Sequence, residues 1–520
     1  MKWRNENEIV DIVIVGAGAA GGVLAKELSE AGLGVVVLDA GPWRDPLRDF
    51  ASDELSMQTL RWEDTRLVEA DPSFISGHHQ SGKGIGGGTQ NFTGVFLRFH
   101  ESDFKTKAID GVGEDWPFHY KDLEPYYTKI EHEASVSGPK HFPWGNFHGP
   151  YPYPAHESLS QNAILFQKGC KSLGIQSALT PLAILSEPAE GRPACINRGF
   201  CLQGCMPQAK FSTLSVHIPK AVQAGAEILA ECRVIQIEVD CYGHVCGVLF
   251  VHHGTTYRQR AKTVILCAHA VETPRLLLHS ATPAFPDGLA NSSGWVGRAI
   301  MTHSSHDVYA KFEQEVRLYK GIPVLASTQD FYETDPRRGF VRGYTLHAHG
   351  SRPIEMAEGI RKATHAPMWG TSFRQTMQDY NFYGRLKMVG EVLPDWHNHV
   401  SLSDEKDEWG MPIASLSFHY SDNDLRLIDH AVDYMSMILR AAGGENPYVV
   451  PDTQHLMGGC RMGNDPSTSV VNSYGQSHDI PNLFICDASI FVTSSGGNPT
   501  LTVMALAART ADYIIDLASS

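Results

Sequence analysis

The stretch from Asp11 to Pro42, DIVIVGAGAAGGVLAKELSEAGLGVVVLDAGP, constrains the fold of this chain more than any other. Ile12 to Val15, with Asp11 leading in, form a short apolar run that fits a strand buried on both faces of a parallel sheet. Gly16-Ala17-Gly18-Ala19-Ala20-Gly21 follows with GxGxxG spacing. The first glycine permits a tight turn, the second lets backbone approach a pyrophosphate, and the third lets helix and strand pack closely. In the helix that follows, Val23, Leu24 and Leu28 supply the inward face, and Gly32 stops it. A second apolar strand, Val35 to Leu38, ends at Asp39, where a carboxylate can accept both ribose hydroxyls of an adenosine half. Strand, turn, helix, strand and acid in this order predict a doubly wound α/β unit that binds an adenine dinucleotide. The motif alone leaves NAD and FAD open.

A chain of 520 residues has room for two or three domains at about 150 residues each. Hydrophobic residues make up 42% and charged residues 19%, an ordinary globular balance, and no run of 18 apolar residues could span a bilayer. The formal charge of −15, without a basic arm or lysine-rich helix, argues against a nucleic-acid partner. The segment from Met1 to Glu8 is polar and lacks a twin arginine, so no export signal is expected there and export would need a partner. Ten cysteines are too few for a disulfide scaffold. Cys232, Cys267 and Cys486 lie in apolar strands and read as buried thiols, while Cys241 and Cys246 flank a hairpin turn and read as structural.

A second glycine-rich loop, Ser81-Gly82-Lys83-Gly84-Ile85-Gly86-Gly87-Gly88-Thr89-Gln90-Asn91, implies backbone lying against a flat or phosphorylated ligand. A helix is expected beyond Leu123, stopped by Gly138 and Pro139, and regular structure returns near Thr213. A helix over 218–224, strands over 226–239, and a hairpin partner over 245–251 across Gly243 come next. A buried strand over 263–267 leads to a helix opened by Thr273-Pro274. Alternating runs over 312–318, 385–393, 400–402 and 413–418 predict an antiparallel sheet. A strand ending at Asp487 and a helix over 499–517 close the chain. These segments divide into a discontinuous dinucleotide-binding domain (1–110, 205–300 and 450–520), a connecting segment with three cysteines (111–204), and a candidate substrate domain (301–449).

Together these motifs resemble the glucose-methanol-choline (GMC) oxidoreductases: both glycine loops, Val264 to Ala268 leading to Thr273-Pro274-Arg275-Leu276-Leu277, His455 to Gly463, and Asp487 to Thr502. The resemblance covers nearly the whole chain. It implies FAD as cofactor and a Rossmann-like FAD-binding domain interleaved with a substrate domain built on an antiparallel β-sheet. It also implies flavin contacts at Gly16, Gly18, Ala19, Ala20, Gly21, Asp39, Gly86, Gly87, Gly88, Thr89, Asn91, Asp487, Asn498, Pro499 and Thr500. His455 looks like the family's histidine beside the flavin and Asn498 like its second active-site partner. Hydride can leave a carbinol carbon only if the hydroxyl proton is removed, and an imidazole with a pKa near 6.5 suits that task. Asn498 can hold the same oxygen but cannot take the proton. His455 also reads as a satisfied core histidine, and Asn498 as an N-cap with Pro499 at the first helical position. A helix starting there would turn its positive end to the flavin. Some relatives carry a histidine joined to the flavin near the second glycine loop. Thr89-Gln90-Asn91-Phe92 contains none, so FAD is expected without a covalent link, although His78 and His79 lie upstream.

Cys195, Cys201 and Cys205, spaced C-x5-C-x3-C with Gly199 and Gly204 between them, can wrap around one metal centre. Zinc would need a fourth ligand, and three unligated thiols are a further reading. The spacing resembles that of flavin subunits in bacterial sugar dehydrogenase complexes, which implies a 3Fe-4S cluster passing electrons to a cytochrome c. It also implies a small partner subunit carrying an export signal, hence a periplasmic location; without such partners the chain would stay in the cytoplasm. The activity implied is oxidation of a hydroxyl of a sugar, glycoside or polyol. An oxidase producing hydrogen peroxide, a non-redox lyase retaining FAD, and a noncatalytic docking subunit are the alternatives. Trp369, Phe373, Tyr380 and Tyr383 fit stacking on a sugar ring and fit core packing equally.

Overall fold

A computed structural model of the chain describes residues 8–71, 81–145, 149–364 and 369–519. Its first sheet is seven-stranded, with Glu227–Leu229, Val35–Leu38, Ile9–Val15 and Thr255–Leu266 side by side, followed by Val245–His252 and Arg233–Val239; Leu483–Ile485 also pairs with Thr255–Leu266. Ile9–Val15 is parallel to both neighbours, with Val15 opposite Leu38 on one side and Leu266 on the other. The three strands therefore end together at Gly16, Asp39 and Cys267, which opens a crevice at their carboxyl ends. The hairpin across Gly243 forms as the sequence predicts, with Val239 opposite Val245.

The helix Ala19–Glu30 packs on this sheet and against the last helix, Thr500–Ser519. Its approach depends on glycine. A Cβ on Gly21 would lie 1.8 Å from the Gly16 carbonyl oxygen, and one on Gly16, whose φ is +101°, would lie 2.4 Å from that of Cys267. Both obstacles are backbone and cannot rotate away. Gly21→Ala is therefore expected to weaken FAD binding about tenfold and to cost about 1–3 kcal/mol of stability, read by flavin fluorescence titration and urea unfolding.

The second sheet is eight-stranded, in the order Glu445–Val450, Asp307–Lys311, Tyr383–Gly390, Tyr344–His349, Val324–Thr328 and Ala178–Leu179. Met301–Ser304 joins it through Tyr383–Gly390 and itself pairs with Thr453–Met457. All its pairings are antiparallel. Thr453–Met457 belongs here although the sequence reading grouped 450–520 with the dinucleotide domain. A 21-residue helix, Asp422–Ala442, covers the sheet. It begins with a capping box between Ser421 and Asp424 and ends at Gly443 with φ +104°.

Two expectations need correction. Residues 312–318 are not a strand: the strand ends at Lys311, and Phe312 instead buries its ring in the core. Strands do form over His399–Lys406 and Pro412–His419, but they pair with each other, and Pro412–His419 also with Leu67–Asp71, in a separate three-stranded sheet. Alternation shows that a segment has one buried face, and it does not say which partner covers the edge.

Candidate active site

A cavity of about 360 Å³ runs from the two glycine loops to the second sheet. Of the residues that the resemblance implies, Gly16, Gly18, Ala19, Ala20, Asp39, Gly87, Gly88, Thr89, Asn91, Asp487, Asn498, Pro499 and Thr500 line it. Gly21 and Gly86 do not. Gly21 sits beneath the first turn, and Gly86, at φ +102°, donates its N–H to the Ala17 carbonyl at 2.9 Å, clamping one loop to the other. The Asp39 carboxylate accepts the N–H groups of Ala17 at 2.9 Å and Gly41 at 2.8 Å, and burial pushes its pKa up. Asp487 accepts from Thr273 Oγ1 at 2.6 Å and from the backbone of His269 at 3.0 Å and Ser489 at 2.8 Å. Each acid thus fixes the backbone at its own strand end.

His455 and Asn498 line the same cavity. Between the pairs Met301–Met457 and His303–Gln454 the ladder carries one residue on one strand and two, His455 and Leu456, on the other. This bulge places His455 in the left-handed region, φ +63°, at a cost of about 1–2 kcal/mol. Its Nδ1 lies 2.8 Å from Nδ1 of His303, a fully buried residue on the neighbouring strand. Burial, with Lys387 nearby, holds the His455 pKa well below 6.5, so the ring is neutral at neutral pH.

Asn498 is not the helix cap. The helix starts at Thr500, and the Pro499 carbonyl accepts the N–H of Val503 at 2.9 Å. The Asn498 side chain instead presents Oδ1 to His347 Nε2 at 3.3 Å. His347, His349, Lys387 and Gln454 complete this end of the cavity. Burial lowers the pKa of His347 to about 4 and that of His349 well below 6.5. Burial also opposes the charge on Lys387, but Asp307 and Asp452 outweigh it, with Nζ 3.3 and 2.9 Å from their oxygens. His303, His347, His349 and Lys387 were not anticipated. They come from three strands of the second sheet, and a sequence containing 25 histidines gives no local signal that selects them.

None of Trp369, Phe373, Tyr380 and Tyr383 lines the cavity. Trp369 is 74% exposed, Tyr380 is buried with its hydroxyl on the Ser351 carbonyl, and Tyr383 packs edge-on against Tyr448. His78 and His79 lie outside the described residues.

Cys195, Cys201 and Cys205 line one small cavity of their own with Gly199, Gly204 and Ile322. Cys195 Sγ accepts the N–H of Asn197 at 3.4 Å and Cys205 Sγ that of Lys210 at 3.3 Å. Burial pushes the Cys201 thiol up to about 12. Among the described residues no three histidine, cysteine or acidic side chains stand close enough to hold a single metal ion. The three thiols share the cavity as free cysteines. Two links tie this loop to the main cavity. Leu202 lines the main cavity, and the buried Lys210 donates to the carbonyls of Thr89, Gln90 and Phe92 at 3.0, 2.9 and 3.1 Å. Cys232, Cys267 and Cys486 are buried, while Cys241 and Cys246 are both unpaired.

Sequence comparison matches residues 10–305 and 394–507 to two family profiles, each described as GMC oxidoreductase. The chain is 32% identical to 2-methyl-1,2-propanediol dehydrogenase of Mycolicibacterium austroafricanum, over 97% of this chain and 95% of the relative. It is 30% identical to the fructose dehydrogenase large subunit of Gluconobacter japonicus, over 98% and 99%. Among solved structures, pyridoxine 4-oxidase from Mesorbium loti superposes with a TM-score of 0.67 at 20% identity, covering 97% of this chain and 99% of the other, a likeness of fold.

Proposed function

Because the chain belongs to the GMC oxidoreductase family, we propose that it is an FAD-dependent dehydrogenase that converts a hydroxyl of a polyol, glycoside or sugar to a carbonyl. The cavity suits the cofactor. A Cβ on Gly87 would meet Gly18 Cα at 2.8 Å, so the second loop approaches the first this closely only with glycine at 87, and Trp62 Nε1, of a cavity-lining residue, is a buried donor without a partner among the described residues. Bound FAD, held without a covalent link, supplies the hydride acceptor. His455 takes the hydroxyl proton, and Asn498 holds the oxygen while its own carbonyl is held by His347. The single observation that carries this reading is that His455 and Asn498 line the same cavity as the two glycine loops. His347, His349, Lys387 and Gln454 line it too and offer several polar contacts to a substrate with more than one hydroxyl. The names of the diol and fructose dehydrogenases agree with that class.

Electron exit through Cys195, Cys201 and Cys205 is the finer part of the proposal. These three thiols would hold a 3Fe-4S cluster, which carries single electrons when bound. Their shared cavity, and its contact with the flavin loop through Leu202 and Lys210, support it. A small subunit carrying an export signal, a cytochrome c acceptor and a periplasmic location go with this part. The test is anaerobic addition of diols, polyols and sugars to the purified protein, followed by absorption, iron and sulfide analysis. Bleaching of the flavin by a hydroxyl substrate is expected, with about three irons per chain. A flavin that no member of the panel bleaches would overturn the dehydrogenase reading in favour of a lyase. A bleachable flavin without iron, rapidly reoxidised by air, would remove the cluster and indicate an oxidase.

A further inference from the structure

We infer that His303 is a positioning residue that fixes the ring tautomer of His455, leaving its Nε2 as the lone-pair nitrogen in the cavity wall. The inference rests on the reading of His455 as the base and adds what makes it one. The direction of each hydrogen bond follows from the partners. His303 Nε2 lies 3.0 Å from the Ser494 carbonyl oxygen and 2.9 Å from that of Ser495. Carbonyl oxygens only accept, so Nε2 of His303 carries the hydrogen. The ring is fully buried, and burial lowers its pKa to about 4, so it carries no second proton at neutral pH. Its Nδ1 is therefore a bare acceptor, and the 2.8 Å contact requires that His455 Nδ1 donate. The two rings stand at 87° with centroids 5.0 Å apart, which directs one ring's N–H along the plane of the other. A neutral His455 with its hydrogen on Nδ1 has none on Nε2.

The opposite tautomer would set two bare Nδ1 lone pairs against each other at hydrogen-bond distance within a buried site. Two carbonyls meet one nitrogen because the backbone at Ser495 takes a left-handed φ of +59°. That segment is itself anchored to the second sheet: Thr345 Oγ1 donates to the Gly496 carbonyl at 2.6 Å, and Ser494 Oγ bonds both the N–H and the carbonyl of Val392 at 3.0 and 2.9 Å. Asn498 follows two residues beyond Gly496. One short segment therefore orients the base through His303 and carries its oxygen-holding partner directly.

The test has a readout independent of turnover. In flavin-loaded protein labelled with 15N-histidine, the His455 ring signals are identified by their loss in His455→Asn. Nε2 is expected at the chemical shift of a bare ring nitrogen and Nδ1 at that of a protonated one. A protonated Nε2 would overturn the inference whatever the kinetics show. In parallel, His303→Leu, which removes the acceptor, is expected to lower kcat by roughly 10–1,000-fold with KM changed less than about threefold. His303→Gln, whose amide can accept from His455 and donate to the serine carbonyls, is expected to recover kcat to within about threefold of wild type. If His303→Leu folds, binds FAD and turns over like wild type, the inference fails. If it does not fold, the nitrogen spectrum and the glutamine variant decide. Should His455→Asn itself keep full activity, the base reading falls while the tautomer is still read directly.

Discussion

His455→Asn is expected to lower the rate of flavin reduction by about 10²–10⁴-fold, the usual contribution of a positioned general base, while FAD stays bound. Asparagine fills much of the same space and keeps a polar group on the wall, but it cannot take a proton at any accessible pH. Anaerobic stopped-flow mixing with a substrate that bleaches the wild-type flavin isolates this step, and a loss smaller than tenfold would sink the assignment. The pH dependence adds a second check. An unperturbed imidazole would give an acid limb in kcat/KM near pH 6.5. Burial holds His455 well below that value, so it remains neutral and competent as the solution is acidified. The wild-type rate is therefore expected to stay level from pH 8 to about 6 and to fall only below that, once the depressed pKa is crossed.

The segment that predicted the cofactor crevice was legible because each of its demands is local. A parallel strand buried on both faces must be continuously apolar, and a turn that presses Gly16 against Cys267 and Gly21 against Gly16 must be glycine. His455 was legible for a weaker reason, its place just ahead of the turn at Gly458 and Gly459, whose φ values are +76° and +102°. Its partners were not legible. His303 and His347 owe their importance to strand register and to the segment around Ser495, contacts made across more than 150 residues of sequence. The helix over 422–442 was missed although its signal is present: Ser421 three residues ahead of Asp424, then Leu427, Ile428, Ala431 and Met435 on one buried face. The aromatic residues near 369–383 erred the other way, because composition without a contact cannot separate a sugar platform from packing.

Arg342→Met is expected to cost about 3–5 kcal/mol of stability, the typical loss when one partner of a buried ionic cluster is removed. Arg342 is 1% exposed and meets three carboxylates on the second-sheet side of the active-site segment: Nη2 with Asp103, Nη1 with Asp110 at 3.2 Å, and Nε with Glu391 at 2.9 Å. Asp103 also accepts Tyr332 Oη at 2.7 Å, and a Cβ on Gly496 would lie 3.1 Å from that tyrosine ring, so the cluster braces the segment leading to Asn498. Three acids around one cation leave an excess of negative charge. Burial, reinforced by Asp103 and only partly offset by Arg342, raises the Glu391 pKa from 4.5 to about 7. Its Oε1 is buried without a hydrogen-bond partner among the described residues. In the wild type this raised pKa gives Glu391 a stabilising contribution that is complete below pH 4.5 and is lost as pH rises through about 7. Without the guanidinium Asp103 and Glu391 become harder to ionise, so the variant's penalty is largest where they must be charged. Urea unfolding of the FAD-loaded proteins at pH 7.5 and 5.5 is expected to show a gap that narrows at the lower pH. Arg342→Lys keeps a charge but cannot reach three acids with one planar fork, and is expected to fall between the two. A penalty below about 1 kcal/mol, or one that grows on acidification, would mean the carboxylates do not depend on Arg342.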